Sequence, residues 1–121
     1  MTKSHIDVGS VLRETISGNY SNLVTRPTGA AVRTYIEEQV ARAGDCAVAV
    51  IDFSHVGMMD FSCADEIVAK LVLRDPGAYP TFVFSGLRES HIEAIDVVLE
   101  RHGMALVSHE ADANAYVAMP Q

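Results

Sequence analysis

The chain has 121 residues, 49% hydrophobic and 7% aromatic, no Trp, and a formal net charge of −7. That length implies one domain whose core is mainly Val, Ile, Leu and Ala, with no need for disulfides or a structural metal. The acidity and the lack of any basic run argue against nucleic acid, because phosphates are gripped by clustered Lys and Arg, and the only lysines are Lys3 and Lys70.

The N-terminal MTKSHIDVGS is polar and has no apolar h-region, so no signal peptide is expected. No stretch approaches the length of a membrane span. Cys46 and Cys63 show neither a CxxC nor a zinc spacing. A cytoplasmic protein with free thiols is the simplest reading.

Residues 4–9 read as a short strand, and Ser10 as the N-cap of a short helix ending at Gly18-Asn19. Arg26-Pro27-Thr28 opens a longer helix, since Pro suits a first turn. Val32, Tyr35, Ile36 and Val40 share one face of it, and Gly44 is the expected stop. Arg33–Glu37 and Glu38–Arg42 lie at i,i+4 on the other side. The strand at 46–53 does not alternate, so both its faces should be buried, as in a parallel strand.

After Asp60 comes a helix with Ala64, Ile67, Val68 and Leu71 facing in and Asp65, Glu66 and Lys70 facing out. Asp75-Pro76-Gly77 reads as a turn. Thr81–Ser85 is a second buried strand, 88–102 a helix stopped by Gly103, and Met104–Val107 a strand. Residues 115–119 either pair back on that strand through 112–114 or form a terminal helix; the hairpin is the preferred reading. Strands alternating with helices give an α/β fold. Its sheet should be mixed, with four or five strands, parallel pairs and helices packed against it.

Three segments then stand out: Thr25-Arg26-Pro27, Asp52-Phe53-Ser54-His55-Val56, and Ser62-Cys63-Ala64-Asp65-Glu66-Ile67. Their order resembles the STAS domain of sulfate transporters and anti-sigma factor antagonists, and more closely a bacterial STAS-like family of unknown function. The resemblance covers residues 20–107. It implies a regulatory domain of bacterial signalling that binds a protein, such as a histidine-kinase-like ATPase or an anti-sigma factor. In the antagonists a Ser in an Asp-Ser-[Ser/Thr]-Gly turn is phosphorylated by that partner. Here Asp60 matches the Asp, Phe61 stands at the phosphoacceptor position, Ser62 matches the second hydroxyl and Cys63 replaces the Gly. Ser62 is therefore a displaced candidate for phosphorylation.

Each of these residues also has a plainer role. Ser62-x-x-Asp65 resembles a capping box. Asp60 is a cap or part of a docking surface, and Asp52 suits loop amides. Glu66–Lys70 reads as a solvated i,i+4 pair. Cys63 at a helix start would have its thiolate favoured by the helix dipole and opposed by the neighbouring carboxylates. Cys46 reads as a small hydrophobe. Arg26 at a helix start could contact an anion or pair with a carboxylate. A hydrolytic triad can be drawn from His55, Asp60 and Ser54 or Ser62, but no Gly-x-Ser-x-Gly elbow accompanies it. The five histidines form no strong ligand pattern, and neither GxGxxG nor a Walker loop occurs.

The expectation is thus a non-enzymatic domain without cofactor or metal. It would dock a protein through the loop 54–61 and the outer face of the following helix, using His55, Met58, Asp60, Phe61, Asp65 and Glu66. Homodimerisation stays open. The alternative is a small-ligand or anion sensor, or a minor enzyme, built on the same loop.

Overall fold

The computed structural model describes residues 2–74, 80–109 and 112–121. Strand β1 (Thr2–Asp7) runs directly into helix α1 (Val8–Thr15). The N-cap is Asp7 rather than Ser10: its carboxylate accepts the amides of Gly9 at 2.9 Å and Ser10 at 3.4 Å. A carboxylate at this position also complements the positive end of the helix dipole, so the helix begins earlier than expected. Helix α2 (Arg26–Ala43) has Pro27 in its first turn and ends at Gly44, whose φ of 67° favours glycine. Val32, Ile36 and Val40 are buried on α2, whereas Tyr35 is half-buried and donates its hydroxyl to Glu14 at 2.6 Å.

Strand β2 (Cys46–Asp52) follows. Helix α3 covers residues 61–73 in three parts: α-helical Phe61–Ala64, a π-helical turn Asp65–Ala69, and α-helical Lys70–Leu73. Strand β3 (Thr81–Ser85), helix α4 (Glu89–Glu100), β4 (Met104–His109) and β5 (Asp112–Pro120) complete the chain. The turn read at Asp75-Pro76-Gly77 lies outside the described residues.

The sheet order is β1-β2-β3-β5-β4. The first three strands are parallel, and β5 enters between β3 and β4 antiparallel to both. The fold is therefore α/β with a five-stranded mixed sheet, and residues 115–119 belong to a strand. Crossovers of one hand that advance in one direction across a sheet bring their helices to the same face. The packing agrees: one cluster joins the inner residues of all four helices to Ala49, Ile51 and Phe84. On the opposite face Val50, Val83 and Ala115 form a separate small patch with Val48 and Val117. That patch explains why β2 does not alternate, since apolar residues are wanted on both of its sides.

Asp7, Asp52 and Ser85 are register partners at the carboxyl ends of β1, β2 and β3. The three loops that leave these strands thus start level with one another. Replacing Asp7 by Ala should lower stability by about 1–2 kcal/mol, as for other lost N-caps, while Asn should restore most of it. Urea unfolding of the three proteins checks this.

Candidate functional site

The loop between β2 and α3 is tied down at nearly every residue. Phe53 is fully buried and donates its amide to the Ser85 carbonyl at 2.9 Å. The Gly57 amide bonds the Ser21 carbonyl at 2.7 Å, and the Met58 amide bonds Asn22 Oδ1 at 2.8 Å. A Cβ on Gly57 would collide with that same Asn22 oxygen, so the close approach requires glycine here. Leu23 forms an isolated bridge with Met59, donating to the Met58 carbonyl at 2.7 Å, and its own carbonyl accepts the Asp60 amide at 2.9 Å.

From the other side, Arg88 Nη2 donates to the carbonyls of Val56 and Gly57. His91 is fully buried, and its Nδ1 accepts the Arg88 amide at 3.2 Å. The proton must then sit on Nε2, which donates to the Gly57 carbonyl at 2.7 Å. Against this fixed backbone Val56 and Met59 point in, while Met58 is 62% and Phe61 54% exposed.

The start of α3 is locked to the start of α2 through Asp60. Asp60 Oδ1 accepts the Cys63 amide and the Ser62 hydroxyl, each at 2.8 Å, and Oδ2 accepts the Thr25 amide at 2.9 Å. Partial burial pushes this carboxyl up, but the amides of Cys63 and Thr25 and the Ser62 hydroxyl outweigh it, so it lies below the usual range. Asp60 is therefore the helix cap. Ser62 lies inside the first turn and gives its hydroxyl to that cap, instead of capping the helix as the Ser62–Asp65 spacing suggests.

Cys63 is fully buried and donates its thiol to the Thr25 carbonyl at 3.1 Å. Burial, reinforced by the Asp60 charge, pushes this thiol up to about 12, so the dipole effect expected at a helix start is overridden. Cys46 is also a buried free thiol. Thr25, held at both its N–H and its C=O, has φ 70° and ψ 143°, a conformation that β-branched residues rarely adopt.

One turn further on, Glu66 is only 3% exposed and does not face solvent as expected. The π turn is the reason. Its Lys70 amide reaches back five residues to the Asp65 carbonyl, and the widened turn buries Glu66, Ile67, Val68 and Ala69 in succession. Three cations meet Glu66: Arg26 Nη1 at 2.7 Å, Lys70 Nζ at 2.7 Å and Arg33 Nη2 at 3.3 Å. Burial opposes the charge, yet the bonds from Lys70, Arg26 and Arg33 bring the carboxyl down to about 2.

Arg26 also donates to Asp65 at 2.9 Å, and the bonds to Asp65 and Glu66 raise its own pKa. Arg26 therefore takes the carboxylate pairing, with two acids of its own chain in the place of an external anion. Glu37 joins the network through Arg33 at 3.0 Å and Arg74 at 3.6 Å, and His102 lies 3.6 Å from Asp65. α2 and α3 approach closely above this network: a Cβ on Gly29 would stand 3.0 Å from the Cys63 Cα and from the Glu66 Cβ.

His55 does not pair with Asp60. Its Nδ1 lies 3.1 Å from Asp7 Oδ2, and His5 Nε2 lies 3.1 Å from Asp52 Oδ2 in a similar pair on the neighbouring strand end. Asp52 also accepts the Ser54 amide at 2.9 Å. Partial burial raises that carboxyl, but Ser54 and His5 more than offset it. Ser54 meets the carboxylate of the His5–Asp52 pair, not a histidine, and His55 is paired with Asp7, so the drawn triad does not assemble. Among the described residues no group of three or more His, Cys, Asp or Glu could hold a metal ion.

The structure thus joins two of the three segments quoted from the sequence, Thr25–Pro27 and Ser62–Ile67, through Asp60, Asp65 and Glu66. Of the six docking candidates, Met58 and Phe61 are freely displayed and His55 is exposed. Asp60 and Asp65 are half-buried, and Glu66 belongs to the interior. Sequence reasoning found the Arg33–Glu37 pair but missed the reach of Arg33 to Glu66, and it missed Arg88 and His91 as anchors of the loop, because no local pattern links residues about thirty positions apart.

Because the folded Glu66 carboxyl is more acidic than its ordinary value of 4.5, its stabilisation is complete above about that pH. It is lost as pH falls through about 2. Glu66→Gln should cost about 2 kcal/mol at pH 7, below the usual range for a broken buried pair because Arg26 and Lys70 can rehydrate. The gap from wild type should close as pH falls from 4.5 toward 2, read from urea midpoints across that range. Thr25→Gly should do the opposite. Relief of about 1–3 kcal/mol of backbone strain, less the added chain entropy of glycine, gives a net gain of about 1 kcal/mol in the same assay.

Comparison with protein-family models, with curated proteins and with solved structures returns no match, so a functional reading rests on the geometry and on the sequence motifs.

Proposed function

We propose that this chain is a non-enzymatic, STAS-like regulatory domain that acts by binding another protein through the loop 54–61 and the first turn of α3. The observation that carries this reading is the exposure of Met58 and Phe61, two large apolar side chains, on a loop whose backbone is bonded to residues 21–23 and to α4. Apolar side chains on a rigid loop bind at little ordering cost, and such anchors supply most of the energy of many interfaces. His55 is exposed, and Asp60 and Asp65 half-buried, on the same stretch of chain. The net charge of −7 favours a partner whose matching face is basic. A histidine-kinase-like ATPase or an anti-sigma factor is the partner that the STAS resemblance suggests.

The groups that chemistry would need support the same view. Asp60, Cys63 and Glu66 are committed to bonds that hold α2 and α3 together, and the Ser62 hydroxyl is given to Asp60. The sensor alternative needs Arg26, His55 and Asp60 to converge, and each is directed to a different partner. A phosphoryl group on Ser62 would break its bond to Asp60 and place two negative groups together, so modification there would act by loosening the docking surface.

The test is capture of binding proteins from the native lysate by tagged wild type, by Phe61→Asp and by Met58→Asp. Each variant should retain the partner at least tenfold less well while keeping the wild-type urea midpoint. Equal capture by all three proteins would exclude this surface.

A further inference from the structure

Strand β1 is an edge of the sheet, and among the described strands only β2 pairs with it. Among the described residues Lys3–Ile6 make no backbone hydrogen bond outside that ladder. Alternate residues of a parallel edge strand direct both N–H and C=O away from the sheet, which makes the edge a template for another strand. Beside this edge runs a groove of about 340 Å³ lined by Ser4, His5, Ile6, Gln39, Arg42 and Ala43. Three consecutive strand residues line it, although successive side chains point to opposite faces. The groove is therefore bordered by the backbone edge of β1 on one side and by the last turns of α2 on the other.

A cationic side chain borders it on each side, Lys3 on the strand and Arg42 on the helix. Lys3 and His5 are exposed on the face of β1 that carries no helix, and Arg42 is exposed on the helix side. Asp52, the carboxylate nearest to His5, is bonded to it. Glu38 lies one turn before Arg42 and does not line the groove.

From the edge strand, the groove and this charge we propose that β1 accepts an extended acidic segment of another protein, which adds to the sheet as a sixth strand. One set of its alternating side chains would lie in the groove near Arg42, and the other set beside Lys3 and His5. Main-chain bonds would give the affinity, and the two basic borders would select carboxylates. A second copy of this chain fits less well, because self-pairing along β1 sets two groups of Lys3, His5 and Arg42 on one seam. This site includes none of the six docking candidates and meets them only through the His55–Asp7 pair at the end of β1, so it is separable from the proposed loop surface.

The test uses ¹⁵N-labelled full-length protein titrated with a capped heptapeptide Glu-Glu-Val-Val-Glu-Glu-Val, which as a strand carries carboxylates on both faces, and with the same peptide carrying Lys for Glu. The acidic peptide should shift the amides of β1 and of residues 39–43, and should bind at least tenfold more tightly than the basic one. Lys3→Glu combined with Arg42→Glu should weaken the acidic peptide at least tenfold. These are exposed positions, and circular dichroism would verify that the fold is kept. Phe61→Asp should leave peptide binding unchanged, whatever it does to partner capture. Equal binding of the two peptides, no binding at millimolar peptide, shifts confined to β4 or to residues 54–61, or dimerisation of the free protein through β1 would each overturn the proposal.

Discussion

The carboxylate of Asp60 is the constraint on which the rest of the site depends. With one oxygen it caps α3 and holds the Ser62 hydroxyl, and with the other it takes the amide of Thr25. Two helices that lie far apart in sequence therefore begin at one point. The geometry is demanding enough to keep Thr25 at a positive φ, and the Cys63 thiol secures the same residue from its carbonyl side. Backbone strain of this kind persists where surrounding bonds over-determine it.

The ion network around Glu66 follows from that junction. Once α2 and α3 start together, Gly29 lets their backbones approach, and Arg26 and Arg33 on α2 come within reach of α3. The π turn supplies the complementary rotation that carries Glu66 inward. A buried carboxylate without partners would be strongly destabilising, and three cations prevent this. Such a network adds less net stability than its bond count implies, because three charged side chains lose water to form it. The loop that displays Met58 and Phe61 lies beside it and is held by residues 21–23 and by Arg88 and His91.

Much of this was legible in the chain. The strands read at 46–53 and 81–85, the buried face of α2 at Val32, Ile36 and Val40, and the glycine stop at Gly44 depend on local periodicity and local backbone preference, and the structure has them, the first strand ending one residue earlier. The tail at 115–119 was ambiguous because a five-residue apolar run suits strand or helix; pairing with β4 decides it. The cap expected at Ser10 is Asp7, and of the two cap candidates at the start of α3 the structure uses Asp60, not Ser62. In both cases an aspartate upstream caps an earlier turn, which leaves the serine inside the helix.

By itself the sequence determined the alternation of strands and helices and the α/β class. Those features follow from side-chain period and turn chemistry, which act over a few residues. Only the tertiary structure decided what the charged and polar residues do. A helical wheel assigns Glu66 to water, because it assumes 3.6 residues per turn and knows nothing of Arg26 or Arg33. The partners of Asp60, His55 and His91 are set by which loops meet at the ends of the parallel strands. That meeting is a property of the sheet order, and no local pattern encodes it.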